Sequence, residues 1–149
     1  MNGMIKIDYP RQAFKIKTAG QKEFIFDDNR RLWVLLTPEE WVRQNFIQYL
    51  LQVKHYPSSW LSIEKEIELN GLKRRYDILV FKQSLPWMMI ECKEMNVALD
   101  ERVLEQILRY HIAVPVPYLV ITNGSETRAW HKHDQRLLEL TELPAWEGA

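Results

Sequence analysis

Asp77, Glu91 and Lys93 stand at the ends of two short apolar runs, Arg-Tyr-Asp-Ile-Leu-Val-Phe over 75–81 and Trp-Met-Met-Ile-Glu-Cys-Lys over 87–93. Two carboxylates and a lysine are the residue types that hold a magnesium ion and assist hydrolysis of a phosphodiester bond. Mg²⁺ takes hard oxygen ligands from one or two carboxylates and keeps several waters for a phosphate. Such an ion acts as a Lewis acid and acidifies a bound water. A lysine on the same face can orient that water, help to deprotonate it and offset charge on the phosphorus. A charge at the end of a buried strand is unfavourable unless it has a partner or a metal, so these side chains point to chemistry rather than folding. The bland alternative is a surface ion pair between Glu91 and Lys93 at a strand end.

Two strands must position these groups. The runs 76–82 and 87–93 are almost continuously apolar, as expected for strands covered on both faces. Joined as a hairpin, they bring Asp77 and Glu91 to the same end. A four-residue loop over 83–86 sets Asp77 opposite Cys92, and a three-residue loop sets it opposite Glu91. Glu91 and Lys93 are two apart and share a face, while Cys92 points to the other side, into the core. Two carboxylates at one point repel unless a cation lies between them, and Mg²⁺ is the natural occupant.

The helices supply the remaining candidates. Thr-Pro-Glu-Glu over 37–40 is a helix start, with threonine as cap, proline at the first helical position and glutamate three after the cap. Val42, Phe46, Tyr49, Leu50 and Val53 then recur at helical spacing, and the helix is expected to run to about His55, before Pro57. Glu40 can reach the site from this helix, although a capping box explains it equally well. Arg43 and Gln44, one turn on, can reach a phosphate or form a solvated face. Asp100 caps a second helix, with Val103, Leu104, Ile107, Leu108 and either His111 or Ile112 inward, stopped by Pro115 and Pro117. Gln106 and Tyr110 share one face of it, where they serve either a site or an ordinary amphipathic edge.

Around these lie further strands. Extended segments are expected at 4–7, 14–17, 24–26 and 32–36. A strand with one wet face is expected at 62–69, ahead of the Asn70-Gly71 hairpin signal. A buried strand follows at 118–122, and edge strands at 127–131 and 137–140, with a loose tail from Pro144. The order helix, three strands, helix, strand predicts an α/β fold with a mixed central sheet flanked by helices. The expected organisation is one domain over 1–149, with a strand extension at 1–36, a core at 37–124 and edge strands and tail at 125–149.

The 149 residues suffice for one core. A single cysteine, Cys92, rules out a disulfide framework and argues against structural zinc. The sequence contains no apolar run of about 18 residues and no leader-type segment, so a reducing, cytoplasmic location without membrane contact is the expectation. The formal net charge is zero, which argues against strong unaided binding to phosphates. Local basic groups remain at Arg30-Arg31 and at Lys73-Arg74-Arg75. His131 and His133 are read as surface residues. Most of the six tryptophans are read as core, with Trp130 or Trp146 as possible base-stacking groups.

The pattern acid, thirteen residues, Glu-x-Lys, following a helix with an acid near its start, resembles the PD-(D/E)xK nuclease superfamily, whose core order is αβββαβ. More narrowly, five segments in order resemble the N-terminal nuclease domain of type I restriction enzyme R subunits: Thr37–Gln44, Lys73–Ile78, Ile90–Lys93, Gln106–Tyr110 and Ile121–Gly124. The resemblance spans about residues 24–124. It implies a restriction-endonuclease-like core, metal binding by Asp77 and Glu91, catalysis by Lys93, and Glu40 as the helix acid at the metal. Gln106 and Tyr110 match the Gln-x-x-x-Tyr motif of RecB-type nucleases, where it supports the site and the DNA. Two departures stand out. Tyr76 occupies the place of the usual proline, and no Walker motif is present for the ATP-driven motor that R subunits carry.

The leading expectation is an Mg²⁺- or Mn²⁺-dependent deoxyribonuclease acting on DNA, alone or with other restriction or defence subunits. The alternative is a non-catalytic module that binds nucleic acid or protein and retains the nuclease fold. An RNA-processing nuclease is a third, since metal chemistry reads the phosphate and not the sugar. Oligomeric state is not legible in the sequence.

Overall fold

A computed structural model describes residues 4–134 and 136–146 of the chain. Its architecture is mixed α/β: a three-stranded antiparallel sheet, a six-stranded mixed sheet and two α-helices. The small sheet is a meander of β1 (Ile16–Ala19), β2 (Lys22–Asp27) and β3 (Leu32–Leu35). The first of these lies two residues later than the sequence suggested, and residues 4–7 form no strand. Ile5 is nevertheless buried, and its N–H donates to the Thr127 carbonyl at 2.8 Å.

Helix α1 (Pro38–Gln52) starts as its sequence dictates: the Thr37 hydroxyl accepts from the Glu40 N–H at 3.0 Å, and Pro38 occupies the first turn. It ends three residues short of the expected boundary. His55 takes a left-handed conformation, φ +61°, and the Tyr56 N–H reaches back to the Leu50 carbonyl at 2.9 Å, turning the chain out before Pro57. Val42, Phe46, Ile47 and Leu50 are buried along one face, whereas Val53, past the end, is exposed.

A one-turn 3₁₀ helix (Ser58–Trp60) leads into the large sheet, made of β4 (Leu61–Leu69), β5 (Leu72–Lys82), β6 (Leu85–Cys92), β7 (Tyr118–Thr122), β8 (Thr127–His133) and β9 (Arg136–Leu140). The strands lie in sequence order, antiparallel throughout except that β6 and β7 run parallel. Helix α2 (Glu101–His111) makes the crossover between those two, as a parallel pair requires. Asn70 and Gly71 both have positive φ and close the β4–β5 hairpin in two residues, so the signal read at that dipeptide is realised.

The sheet separates two apolar layers. Ile78, Val80, Met88, Ile90 and Cys92 pack with Phe46 and Leu50 of α1, whereas Leu79, Met89, Leu119 and Ile121 pack with Leu104 of α2. This explains why β5 and β6 are apolar on both faces. The residues after β9 are packed rather than loose. Leu143 is buried, the Tyr56 hydroxyl donates to the Pro144 carbonyl at 2.5 Å, and Trp146 sits edge-on to Trp60 at 6.0 Å. The last three residues of the expected tail lie outside the described residues. Of the two tryptophans offered for base stacking, Trp130 is buried beside α2 and Trp146 is half-buried against Trp60. Among the described residues no helix is long and apolar enough to cross a membrane.

Candidate active site

The site forms at the carboxyl end of β6, level with Asp77 midway along β5, which starts four residues earlier than the run 76–82 suggested. Gln83 and Ser84, both at positive φ, turn the hairpin in two residues, with Lys82 opposite Leu85. That loop is shorter than either expected from the sequence. A bulge between Val80 and Phe81 then shifts the register by one, so that Ile78 pairs with Ile90. Continued by one residue, this register places Asp77 across from Glu91, the arrangement a three-residue loop would also give. The opposite edge of β5 is interrupted here as well. Ile63 pairs with Ile78 and Lys65 with Tyr76, but Glu64 between them takes φ +50° and leaves the ladder, a conformation rarely adopted by a side-chain-bearing residue.

Asp77 is held at both oxygens. Its Oδ1 accepts from Arg43 Nη2 at 2.8 Å and its Oδ2 from the Cys92 N–H at 2.7 Å. Burial, then the neighbouring Glu91 charge, push the Asp77 carboxyl above its ordinary value, and Arg43 and the Cys92 N–H offset this only in part. Arg43 is buried, so desolvation alone would lower its pKa. The hydrogen bond to Asp77 and the charges of Glu40, Asp77 and Glu64 more than reverse this and hold it cationic.

Glu40 and Gln44, both buried, belong to a network behind the site. Glu40 pairs with Arg43, accepts from Gln44 Nε2 at 2.8 Å and lies 3.5 Å from Arg30 Nη2. Gln44 Nε2 also donates to Asp27 Oδ2 at 2.9 Å, and Arg30 Nε to the same oxygen at 2.7 Å. The Glu40 carboxylate therefore serves the ion network, while its N–H alone serves the helix cap. Arg43 and Gln44 hold carboxylates in the interior instead of forming a solvated face.

Glu39 is the acid of α1 whose surroundings are those of the site. Burial, then the Asp77 charge, raise its carboxyl, Arg43 and Lys93 lower it, and Glu91 raises it further. Sequence reasoning misses it because the capping-box position favours Glu40. The available signal is the four-residue spacing from Glu39 to Arg43, which are 3.4 Å apart.

Glu91 and Lys93 line a cleft of about 440 Å³ together with Gln106, Tyr110, His111 and Val103. Thus α2 brings its Gln-x-x-x-Tyr pair to the same opening as the strand residues. Lys93 is fixed by its own N–H, which donates to the Thr122 carbonyl at 2.8 Å, extending the β6–β7 pairing. Asn123 Nδ2 ties the Val97 carbonyl at 2.8 Å and so anchors the segment that leads from Lys93 to α2. His111 is a buried residue that the sequence leaves undecided between core and neighbour. Its Nε2 lies 3.6 Å from Glu91 Oε1, its ring packs on Tyr76 at 5.6 Å, and its Nδ1 has no hydrogen-bond partner among the described residues.

Among the described residues no group of three or more His, Cys, Asp and Glu is arranged to hold a metal ion by itself. The donors present suit a hydrated hard cation instead, which needs only one or two carboxylates. Glu91 accepts no hydrogen bond among the described residues, since Lys93 Nζ at 3.7 Å and His111 Nε2 at 3.6 Å both lie beyond hydrogen-bonding length. Asp77 accepts one hydrogen bond on each oxygen, and a carboxylate has about four lone-pair sites. Open acceptor capacity thus remains on both groups.

A mixed α/β frame with an acid and a lysine at the carboxyl end of β6, a second acid midway along β5 and a cleft against α2 defines the general class. Residues 38–144 match the family described as type I restriction enzyme R protein N terminus, and the chain belongs to that family. The match begins at the first residue of α1 and takes in the whole six-stranded sheet; the β1–β3 meander precedes it. No curated protein matches the chain by sequence.

Proposed function

We propose that the chain is a metal-dependent deoxyribonuclease of the PD-(D/E)xK type, the nuclease module of a restriction system, with a restriction-endonuclease-like αβββαβ core. The carrying observation is the placing of Asp77, midway along β5, across from Glu91 at the end of β6, with Lys93 Nζ 3.7 Å from Glu91. Asp77, whose carboxyl is raised, lies beside the cleft residue Glu91, and perturbed carboxyls concentrate at active sites. The family, drawn from a restriction enzyme subunit, supports the restriction-related role.

Asp77 and Glu91 would hold Mg²⁺ or Mn²⁺, which supplies Lewis acidity and a more acidic bound water. Lys93 orients the attacking water, helps remove its proton and offsets negative charge on the phosphate. Glu39, whose carboxyl feels the charges of all three groups, would add a carboxylate toward the cation. Glu40, through Arg43, keeps Asp77 in place from behind, and Gln44 ties Glu40 to Asp27. Gln106 and Tyr110 hold the nucleic acid at the mouth of the cleft. DNA is the substrate, and other restriction subunits are the partners that supply motor activity.

The test is cleavage of supercoiled, single-stranded and branched DNA with Mg²⁺ or Mn²⁺. Lys93→Ala is expected to reduce cutting by about 10²–10⁴-fold, the range for loss of a proton-transfer group, with an unchanged circular dichroism spectrum. Undiminished cutting by a folded Lys93→Ala protein contradicts the proposal.

One observation favours a second reading, a binding module without catalysis. Arg43 already supplies a cation to Asp77 Oδ1, and no self-sufficient metal cluster exists among the described residues. Under that reading neither Mg²⁺ nor Mn²⁺ binds, and no DNA form is nicked.

A further inference from the structure

A second cleft, of about 780 Å³, adjoins the first. It is lined by Arg74, Arg102, Glu105, Gln106, Arg109 and Tyr110. Gln106 and Tyr110 line both clefts, so one opening continues into the other along the exposed face of α2. Three guanidiniums face a single carboxylate here, on a chain whose formal net charge is zero. The positive charge is local, and it begins where the candidate catalytic groups end.

The arginines differ in how they are held. Arg74, from β5, lies over the Tyr110 ring with its guanidinium carbon 4.3 Å from the centroid, donates from Nε to the Tyr110 carbonyl at 3.1 Å and from Nη1 to the Lys73 carbonyl at 2.8 Å. These interactions fix its plane, and Nη2 has no protein acceptor among the described residues. Arg109 is tied to Glu105 at 2.6 Å. Arg102 makes no ion pair among the described residues. A pre-oriented guanidinium stacked on an aromatic ring is a strong planar donor to phosphate.

We propose that this second cleft is a backbone track: Arg74, Arg102 and Arg109 hold the phosphates of the polynucleotide strand flanking the bond to be cut. The assignment rests on the nuclease reading of the adjoining site, and it names where the strand goes. Phosphate contacts position a strand without reading its sequence, so the track confers register rather than base preference. Glu105 restrains it by occupying Arg109.

The experiment is fluorescence anisotropy of 5′-labelled DNA and RNA oligonucleotides, single-stranded and duplex, in EDTA across a salt series. Without metal no cleavage occurs, so binding is read apart from chemistry. The double substitution Arg74→Gln/Arg102→Gln is expected to weaken binding on every sequence. It should also flatten the dependence of log K on log salt by about 1.4 for single strands and about 1.8 for duplex, near 0.7 and 0.9 for each phosphate no longer neutralised. Glu105→Gln is expected to tighten binding. Arg136→Gln, at the opposite end of the sheet from Glu91, is the control and is expected to change neither quantity. All the substituted side chains except Arg74 are exposed, and unfolding curves verify that each variant folds. A salt dependence unchanged in the double variant, an equal effect of Arg136→Gln, or no strand bound at low salt overturns the track. The Lys93→Ala cleavage assay is independent of these outcomes: the track can fail while cutting persists, and cutting can fail while the track binds.

Discussion

Arg43 Nη2 donates to Asp77 Oδ1 at 2.8 Å across the gap between α1 and β5, while the same guanidinium pairs with Glu40 and Glu64. One buried cation therefore balances carboxylates from a helix and two strands. Removing it leaves buried acids uncompensated, which for a buried pair typically costs about 3–5 kcal/mol. Arg43→Ala should lower the urea midpoint accordingly. Arg43→Lys should recover only part, because an ammonium cannot span the same acceptors in one plane. An unfolding midpoint that Arg43→Ala leaves unmoved contradicts this role.

The two adjacent glutamates of α1 should separate stability from activity. Glu40 is buried among Arg30, Arg43 and Gln44, so Glu40→Ala is expected to destabilise by several kcal/mol, on the order of 3 for a broken buried network. Glu39 is the more exposed of the pair and lies within range of Asp77, Lys93 and Glu91. Glu39→Ala should change stability by about 0.5 kcal/mol or less, as for ordinary surface positions, yet lower metal-dependent cleavage. Paired chemical denaturation and cleavage assays distinguish them, and the reverse pattern would assign the roles the other way round.

These two residues also mark how far the sequence can be read. The helix start at Thr37-Pro38, the turn at Asn70-Gly71 and the doubly apolar β5 and β6 are legible, because local rules fix each of them. So is the shared height of Asp77 and Glu91, since both expected loop lengths bring the pair within one residue. The loop actually used is not legible. Gln83 and Ser84 carry no glycine or asparagine to announce a two-residue turn, and the bulge after Val80 depends on packing that no short window contains. The burial of Arg43 and Gln44 is hidden for a similar reason: their partners, Asp27, Glu64 and Asp77, come from three different strands. Trp146 is likewise easily mistaken for part of a loose tail because Trp60, which it packs on, is distant in sequence.

The raised Asp77 carboxyl carries a pH signature. A folded value above the unfolded 3.8 means its contribution to stability is full below 3.8 and is lost as pH rises through the folded value. Ionising Asp77 in the metal-free site works against burial and the Glu91 charge, and a divalent cation should relieve both. At about a hundredfold excess over its Kd, a ligand stabilises by roughly 2.7 kcal/mol, a Tm rise of roughly 5–10 °C for a chain of this length. Mn²⁺ should produce that rise at pH 7, a smaller one toward acid pH, and none in Glu91→Gln. Equal shifts in wild type and Glu91→Gln would place the cation elsewhere.

Asp27 behaves in the opposite sense. Burial pushes its carboxyl up, but hydrogen bonds from the Arg30 N–H, Gln44 Nε2 and Arg30 Nε outweigh this and hold it below 3.8. The stability it contributes is present above 3.8 and disappears as pH falls through the folded value. Urea midpoints should therefore fall below about that pH in the wild type, and the fall should be shallower in Asp27→Asn. Parallel acid limbs for the two proteins contradict the assignment.

The proposed convergence of Asp77, Glu91 and Lys93 on a cation is tested most directly by incubating supercoiled DNA with the purified chain in Mn²⁺, Mg²⁺ or EDTA, with Glu91→Gln alongside. Wild type should convert the plasmid to open circles and linear fragments with either metal and not in EDTA, and Glu91→Gln, nearly identical in shape, should leave it intact. Intact plasmid in every wild-type reaction, or equal cutting by Glu91→Gln, would contradict the account.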